Sequence, residues 1–131
     1  MPLARSLTVL SVDDQAAMRM LTRNALKSIG IGEVLEACDG EEALRVILAR
    51  KQPISLILSD VNMPGIDGIG LLRAVRSHTP IAKTPFILLT GWADQELVAK
   101  AIKFGVNSLV AKPFTVTSLK EKMVAVLGTL Q

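Results

Sequence analysis

The 131-residue sequence holds no tyrosine, one tryptophan, one histidine and one cysteine. Each scarcity removes a class of function. A lone Cys38 closes no internal disulfide, which suits a reducing cytosol. Such a cysteine is expected as a small core residue. His78 and Cys38 stand apart from the acids discussed below, so no zinc or copper ligand set is offered. Without aromatic-basic interleaving or a helix-turn-helix pattern, direct nucleic-acid binding is not expected. No apolar run approaches the length of a membrane span, so no membrane insertion is expected. Met1 to Leu7 carries one Arg and no long apolar stretch, so no signal pattern is read there. No repeat, linker or low-complexity segment is found.

Half of the residues are hydrophobic, which excludes a disordered chain. The length suits a single domain over residues 1–131 with a substantial core. The net charge of +3 is modest, but its distribution is uneven. Lys100, Lys103, Lys112, Lys120 and Lys122 face only Glu121 in the last part of the chain. That excess reads as a solvated helical surface, or as a docking face for an acidic partner.

Apolar runs alternate with helical patterns five times. Leu7–Val12, Glu33–Ala37, Leu56–Ser59, Pro85–Thr90 and Ser108–Ala111 read as strands. Helices are predicted over Gln15–Ile29 (Met18, Leu21, Ala25 and Ile29 inward), from Asp39 onward (Ala43, Leu44, Ile47 and Leu48 inward) and over Gly68–Ser77 (Leu71, Leu72 and Val75). A fourth follows Asp94, with Leu97, Ala101 and Ile102 inside. The last spans Thr115–Leu127, with Leu119, Met123 and Val126. Asp39 and Asp94 are candidate N-caps. Strands apolar on both faces, each followed by a helix, predict an α/β fold: a doubly wound parallel sheet in the flavodoxin-like order 2-1-3-4-5. In such sheets ligands bind beyond the C-terminal strand ends, at the switch point between the first and third strands.

Asp13-Asp14 ends the first strand, Asp60 the third, Thr90-Gly91 the fourth and Lys112-Pro113 the fifth. The predicted order brings three carboxylates, a hydroxyl and an ammonium to one rim. Clustered carboxylates repel unless a cation offsets them. Lys112 supplies one charge, and hard oxygen donors favour magnesium, or manganese, as a second cation.

VDD at 12–14, SDVNMPGIDG at 59–68, LTG at 89–91 and AKPF at 111–114 together resemble the receiver domain of two-component response regulators, most similar to the single-domain chemotaxis type. The resemblance spans nearly the whole chain. It implies that Asp60 is the phosphoacceptor, taking a phosphoryl group from a phosphohistidine. It implies that Asp14, Asp60 and the Asn62 carbonyl hold magnesium, with Asp13 acting through a water. Lys112 and the metal would offset charge on the transferring group. Thr90 would donate to a phosphoryl oxygen, and Lys112-Pro113 would be a cis bond that aims Lys112 inward. Implied partners are a sensor histidine kinase or a histidine phosphotransfer protein, and an unknown output protein on the face of helix four, strand five and helix five. The expected location is cytoplasmic. The receiver is not an enzyme in the ordinary sense but assists its own magnesium-dependent phosphorylation and dephosphorylation.

Two positions depart from the family pattern. Leu109 stands where many receivers carry a switch aromatic. Trp92, two residues after Thr90, either covers the phosphorylation site or replaces that aromatic as the mobile element; the plain alternative packs it on helix four. Singly, each residue has a plainer reading: Asp13 or Asp14 as a helix cap, Asp67 as a turn or cap residue, His78 as an exposed helix end. Alternatives to a switching receiver are a phosphate sink, a degenerate binding-only receiver and a small Asp-nucleophile phosphatase. The last needs a second Asp where Asn62 stands. A flavodoxin-type carrier would need a hydroxyl- and glycine-rich loop and aromatics that this chain lacks.

Overall fold

A computed structural model describes residues 3–130. The apolar runs form β1 (Thr8–Val12), β2 (Glu33–Ala37), β3 (Leu56–Asp60), β4 (Phe86–Thr90) and β5 (Ser108–Ala111). Between and after them lie α1 (Ala16–Ile29), α2 (Gly40–Ala49), α3 (Gly68–Ser77), α4 (Gln95–Lys103) and α5 (Val116–Leu127). The strands pair in parallel in the order β2-β1-β3-β4-β5, as the alternating pattern predicts. Among the described residues no helix is long and apolar enough to cross a membrane.

Residues of β3 and β4 are buried throughout because helices cover both faces of the sheet. Successive strand side chains alternate between two cores. Leu56, Leu58, Ile87 and Leu89 pack with Leu26 of α1 and Leu119 and Met123 of α5. Ile57 and Leu88 pack on the other face with Leu71, Leu72 and Val75 of α3 and Ala101 of α4. Each fully buried Leu contributes roughly 1.5–3 kcal/mol. Asp39, Asp67, Asp94 and Thr115 cap α2 to α5, accepting from the backbone N–H of Glu42, Gly70, Leu97 and Ser118. Each cap is worth about 0.5–2 kcal/mol. Gln15 precedes α1 without a side-chain cap.

Three predicted inward residues face water instead. Leu21, Leu48 and Ile102 are exposed, while Thr22, Leu26 and Val46 turn inward or sit partly covered. Each helix is wide enough to carry apolar residues beyond the stripe its neighbours cover. Cys38 is also exposed, not a core residue, because it lies one position past the end of β2. There its thiol sits 3.3 Å from Glu42 Oε2, and that hydrogen bond, with burial and the nearby carboxylate charges, raises the thiol above its ordinary pKa.

Two backbone features shape the loop that follows β3. Gly68 opens α3 with its N–H donating to the Val61 carbonyl at 2.9 Å. An added Cβ there would collide with the Asp60 carbonyl oxygen and the Val61 Cα. Gly65 turns the preceding loop at φ +73°, a left-handed conformation that favours glycine. At the opposite edge, Arg76 ties α3 to the segments entering β4 and β5. It donates to the carbonyls of Gly105 (3.1 Å), Ala82 (3.1 Å) and Thr84 (2.6 Å) and to Asn107 Oδ1 (2.9 Å).

Candidate functional site

The strand order delivers Asp13, Asp14, Asp60, Thr90 and Lys112 to the C-terminal rim of β1, β3, β4 and β5. Asp60 is the last residue of β3 and only 9% exposed. Parallel pairing of β1 with β3 sets Val12 opposite Ser59, so Asp13 and Asp14 leave β1 beside Asp60. One oxygen from each of Asp13, Asp14 and Asp60 lies within 4.8 Å of the others.

Asp13 is buried and Asp14 exposed. Gln15, not Asp13, holds the N-cap position of α1, but Asp13 shapes the approach to it. Its Oδ1 accepts from the Gln15 N–H at 2.9 Å, fixing the turn into α1. Its Oδ2 lies 3.3 Å from Lys112 Nζ. Lys112 also lies 3.2 Å from Asp60 Oδ1, so a single ammonium spans two carboxylates that began 47 residues apart in sequence. The Lys112-Pro113 bond is cis, as expected. Arg19, which sequence reasoning did not single out, donates to the Asp13 carbonyl at 2.6 Å and steadies the same turn. Its position one helical turn past the acid pair was the available signal.

Burial raises the Asp60 carboxyl above its ordinary pKa. The hydrogen bond and charge of Lys112 oppose that rise, the Asp13 charge adds to it, and the Val61 amide lowers it. The net direction is upward; three carboxylates also face one ammonium, so Lys112 alone leaves negative charge uncompensated. The donors are oxygens only, with no nitrogen or sulfur ligand in the group. This chemistry fits a hard divalent cation. Asn62 is exposed on the loop that follows Asp60.

Thr90 ends β4 and is buried, but its hydroxyl is engaged in its own loop. It donates to the Trp92 carbonyl at 2.9 Å and accepts from the Trp92 N–H at 3.1 Å. Trp92 is 78% exposed. In the unmodified chain the indole is not packed closely on α4, the plain alternative read from sequence. Leu109 is partly buried against the α3–α4 core. Asp67 caps α3, and His78 is exposed at the end of that helix.

The family model described as response regulator receiver domain matches residues 9–124. A probable chemotaxis protein CheY of Rhizobium etli is 41% identical over 131 residues, covering all of both chains. Chemotaxis protein CheY-3 of Vibrio cholerae is 36% identical over 121 residues, 92% of each chain. The solved structure of Vibrio cholerae chemotaxis protein CheY4 superposes with a TM-score of 0.85 at 32% identity, covering 92% of this chain and 98% of that one.

Proposed function

This chain belongs to the response regulator receiver domain family, and from that premise we propose that it accepts a phosphoryl group from a phosphohistidine onto Asp60 and thereby changes its binding to a protein partner. The observation that carries this reading is Lys112 Nζ at 3.2 Å from Asp60 Oδ1, beside three clustered carboxylates. An Asp60 oxygen forms the new P–O bond as the P–N bond to the donor imidazole breaks, with the electron pair leaving on nitrogen. Lys112 draws negative charge from the incoming phosphoryl oxygens while remaining held by Asp13. Asp14, Asp60 and the Asn62 carbonyl would hold magnesium, with Asp13 acting through water; bound there, the ion supplies positive charge for the transferring group. Hydrolysis of the aspartyl phosphate uses the same residues, so the protein promotes both its loading and its reset.

Thr90 has one hydroxyl proton, and Trp92 O now takes it. Donation to a phosphoryl oxygen must break that bond and release the loop that carries Trp92. Trp92 then serves as the mobile aromatic of the switch, since Leu109 has no ring to supply. The output surface is the face of α4, β5 and α5, where Lys100, Lys103, Lys120 and Lys122 are exposed. The phosphodonor is a sensor histidine kinase or a histidine phosphotransfer protein, and the similarity to chemotaxis proteins favours motility control as the setting.

Incubation with labelled acetyl phosphate or a phosphorylated histidine kinase domain tests the reading. Label is expected to appear with magnesium, to be absent with chelator, and to be lost in Asp60→Ala. Undiminished labelling of Asp60→Ala would overturn it.

A further inference from the structure

Trp92 is the sole tryptophan, and 78% of it lies in solvent. A single exposed apolar side chain is ordinary on a protein surface. The indole does not stand alone. It forms one wall of a cleft of about 330 Å³ between the β4–α4 loop and the entry to α3. Half-buried Ile69 and Leu97 supply its apolar lining. Asp67, Asp94 and Glu96 stand exposed on the rim.

Charge complementarity selects the occupant. Lys100 is the one cation lining the cleft, and it pairs with Glu96 at 3.5 Å. Asp67 and Asp94 have no cationic partner among the described residues. Both cap helices through Oδ1, by accepting from Gly70 and Leu97 at 2.8 Å. The whole chain carries +3, so this is an acidic cleft on a basic molecule. A cationic peptide is drawn to such a cleft.

We propose that the Trp92 cleft docks an arginine side chain presented by an extended segment of a partner protein. The guanidinium plane stacks on the indole while its N–H groups reach the Asp67 and Asp94 carboxylates. Apart from Lys100, which also belongs to the lysine-rich face of α4 and α5, the charges lining the cleft are acidic. Asn62, two residues past Asp60, lines the same cleft, and Thr90 is bonded to the Trp92 backbone. Docking is therefore placed to feel the state of the acidic rim, although the cleft itself is present without modification.

The test uses the full, unmodified chain and a tetra-arginine peptide, with tetra-glutamate as the comparison. Trp92 emission and titration calorimetry follow binding. Saturable binding of tetra-arginine and none of tetra-glutamate are expected. The double variant Asp67→Asn with Asp94→Asn keeps both caps, since Asn caps as well as Asp. It is expected to weaken the peptide roughly tenfold, the scale of two lost charge contacts. Glu41→Gln, on the exposed side of α2, is expected to change nothing. Equal affinity for the double variant, an equal loss in Glu41→Gln, or the absence of saturation each overturns the proposal. None of these results bears on phosphoryl acceptance by Asp60, which is measured separately by labelling.

Discussion

Burial lifts the Asp60 carboxyl above its ordinary range, and this fixes the sign of a pH dependence. With the folded pKa above the unfolded one, the folded chain binds that proton more readily. Its contribution favours folding below the unfolded pKa and is lost as pH rises through the raised folded value. Ionised Asp60 therefore opposes folding at neutral pH when no divalent metal is bound. Asp60→Asn is expected to unfold at a higher temperature than the parent in chelator at neutral pH. The gain should vanish in acid, where both carry no charge at this position; a less stable variant at neutral pH would contradict the account. Cys38 gives a second case. It is exposed, yet its hydrogen bond to Glu42 and the nearby carboxylates disfavour the thiolate. Iodoacetamide should modify it slowly for an accessible thiol. Glu42→Gln should speed that reaction by roughly several-fold at mildly alkaline pH, because thiolate fraction sets the rate.

The β4–α4 loop is the element on which the proposed switch turns. Thr90→Val keeps the volume of the side chain and removes both hydrogen bonds to Trp92, each worth about 0.5–1.5 kcal/mol. Trp92 anisotropy is expected to fall in the unmodified variant to the level that beryllofluoride and magnesium produce in the parent. Thr90→Ser should keep the parent value, and an unchanged Thr90→Val would remove the latch from the mechanism. The entry to α3 depends on Gly68 for steric reasons. Gly68→Ala must displace either α3 or the end of β3, at a cost of about 2–4 kcal/mol, measurable by urea unfolding. At this scale the sequence was informative where period and caps speak together. Asp39, Asp94 and the bounds of α3 were legible from their neighbours. The inward faces of α1, α2 and α4 were less so. Leu21, Leu48 and Ile102 satisfy helical spacing, but only the position of the neighbouring elements decides which flank of a stripe is covered. Trp92 was visible as an oddity, but its exposure was not, because a threonine in sequence does not say whether its hydroxyl bonds its own loop or another partner.

Across the whole molecule the sheet has two rims with separate tasks. The C-terminal rim gathers Asp13, Asp14, Asp60 and Lys112, and this set was legible because each residue ends a strand and the strand order follows from connection rules. The N-terminal rim was not legible. Arg76 reads as one more charged helix residue, yet its guanidinium reaches Ala82, Thr84, Gly105 and Asn107, which lie 6 to 31 positions further along the chain. Partial burial depresses its pKa, and these acceptors replace part of the water around its charge. Asn107 Oδ1 also accepts from the Phe86 N–H at 2.8 Å, which extends the tie into β4 itself. Arg76→Met preserves much of the aliphatic stem but leaves these acceptors short of donors. It is expected to lower unfolding free energy by about 2–4 kcal/mol in urea, a value set by several lost bonds to a charged donor. Because all four contacts lie at the end of the sheet away from Asp60, the folded variant should still take label from acetyl phosphate at the parent rate. Parent-like stability would show that the tie carries no net energy, and a slowed labelling of fully folded protein would show that the two rims are coupled through the sheet.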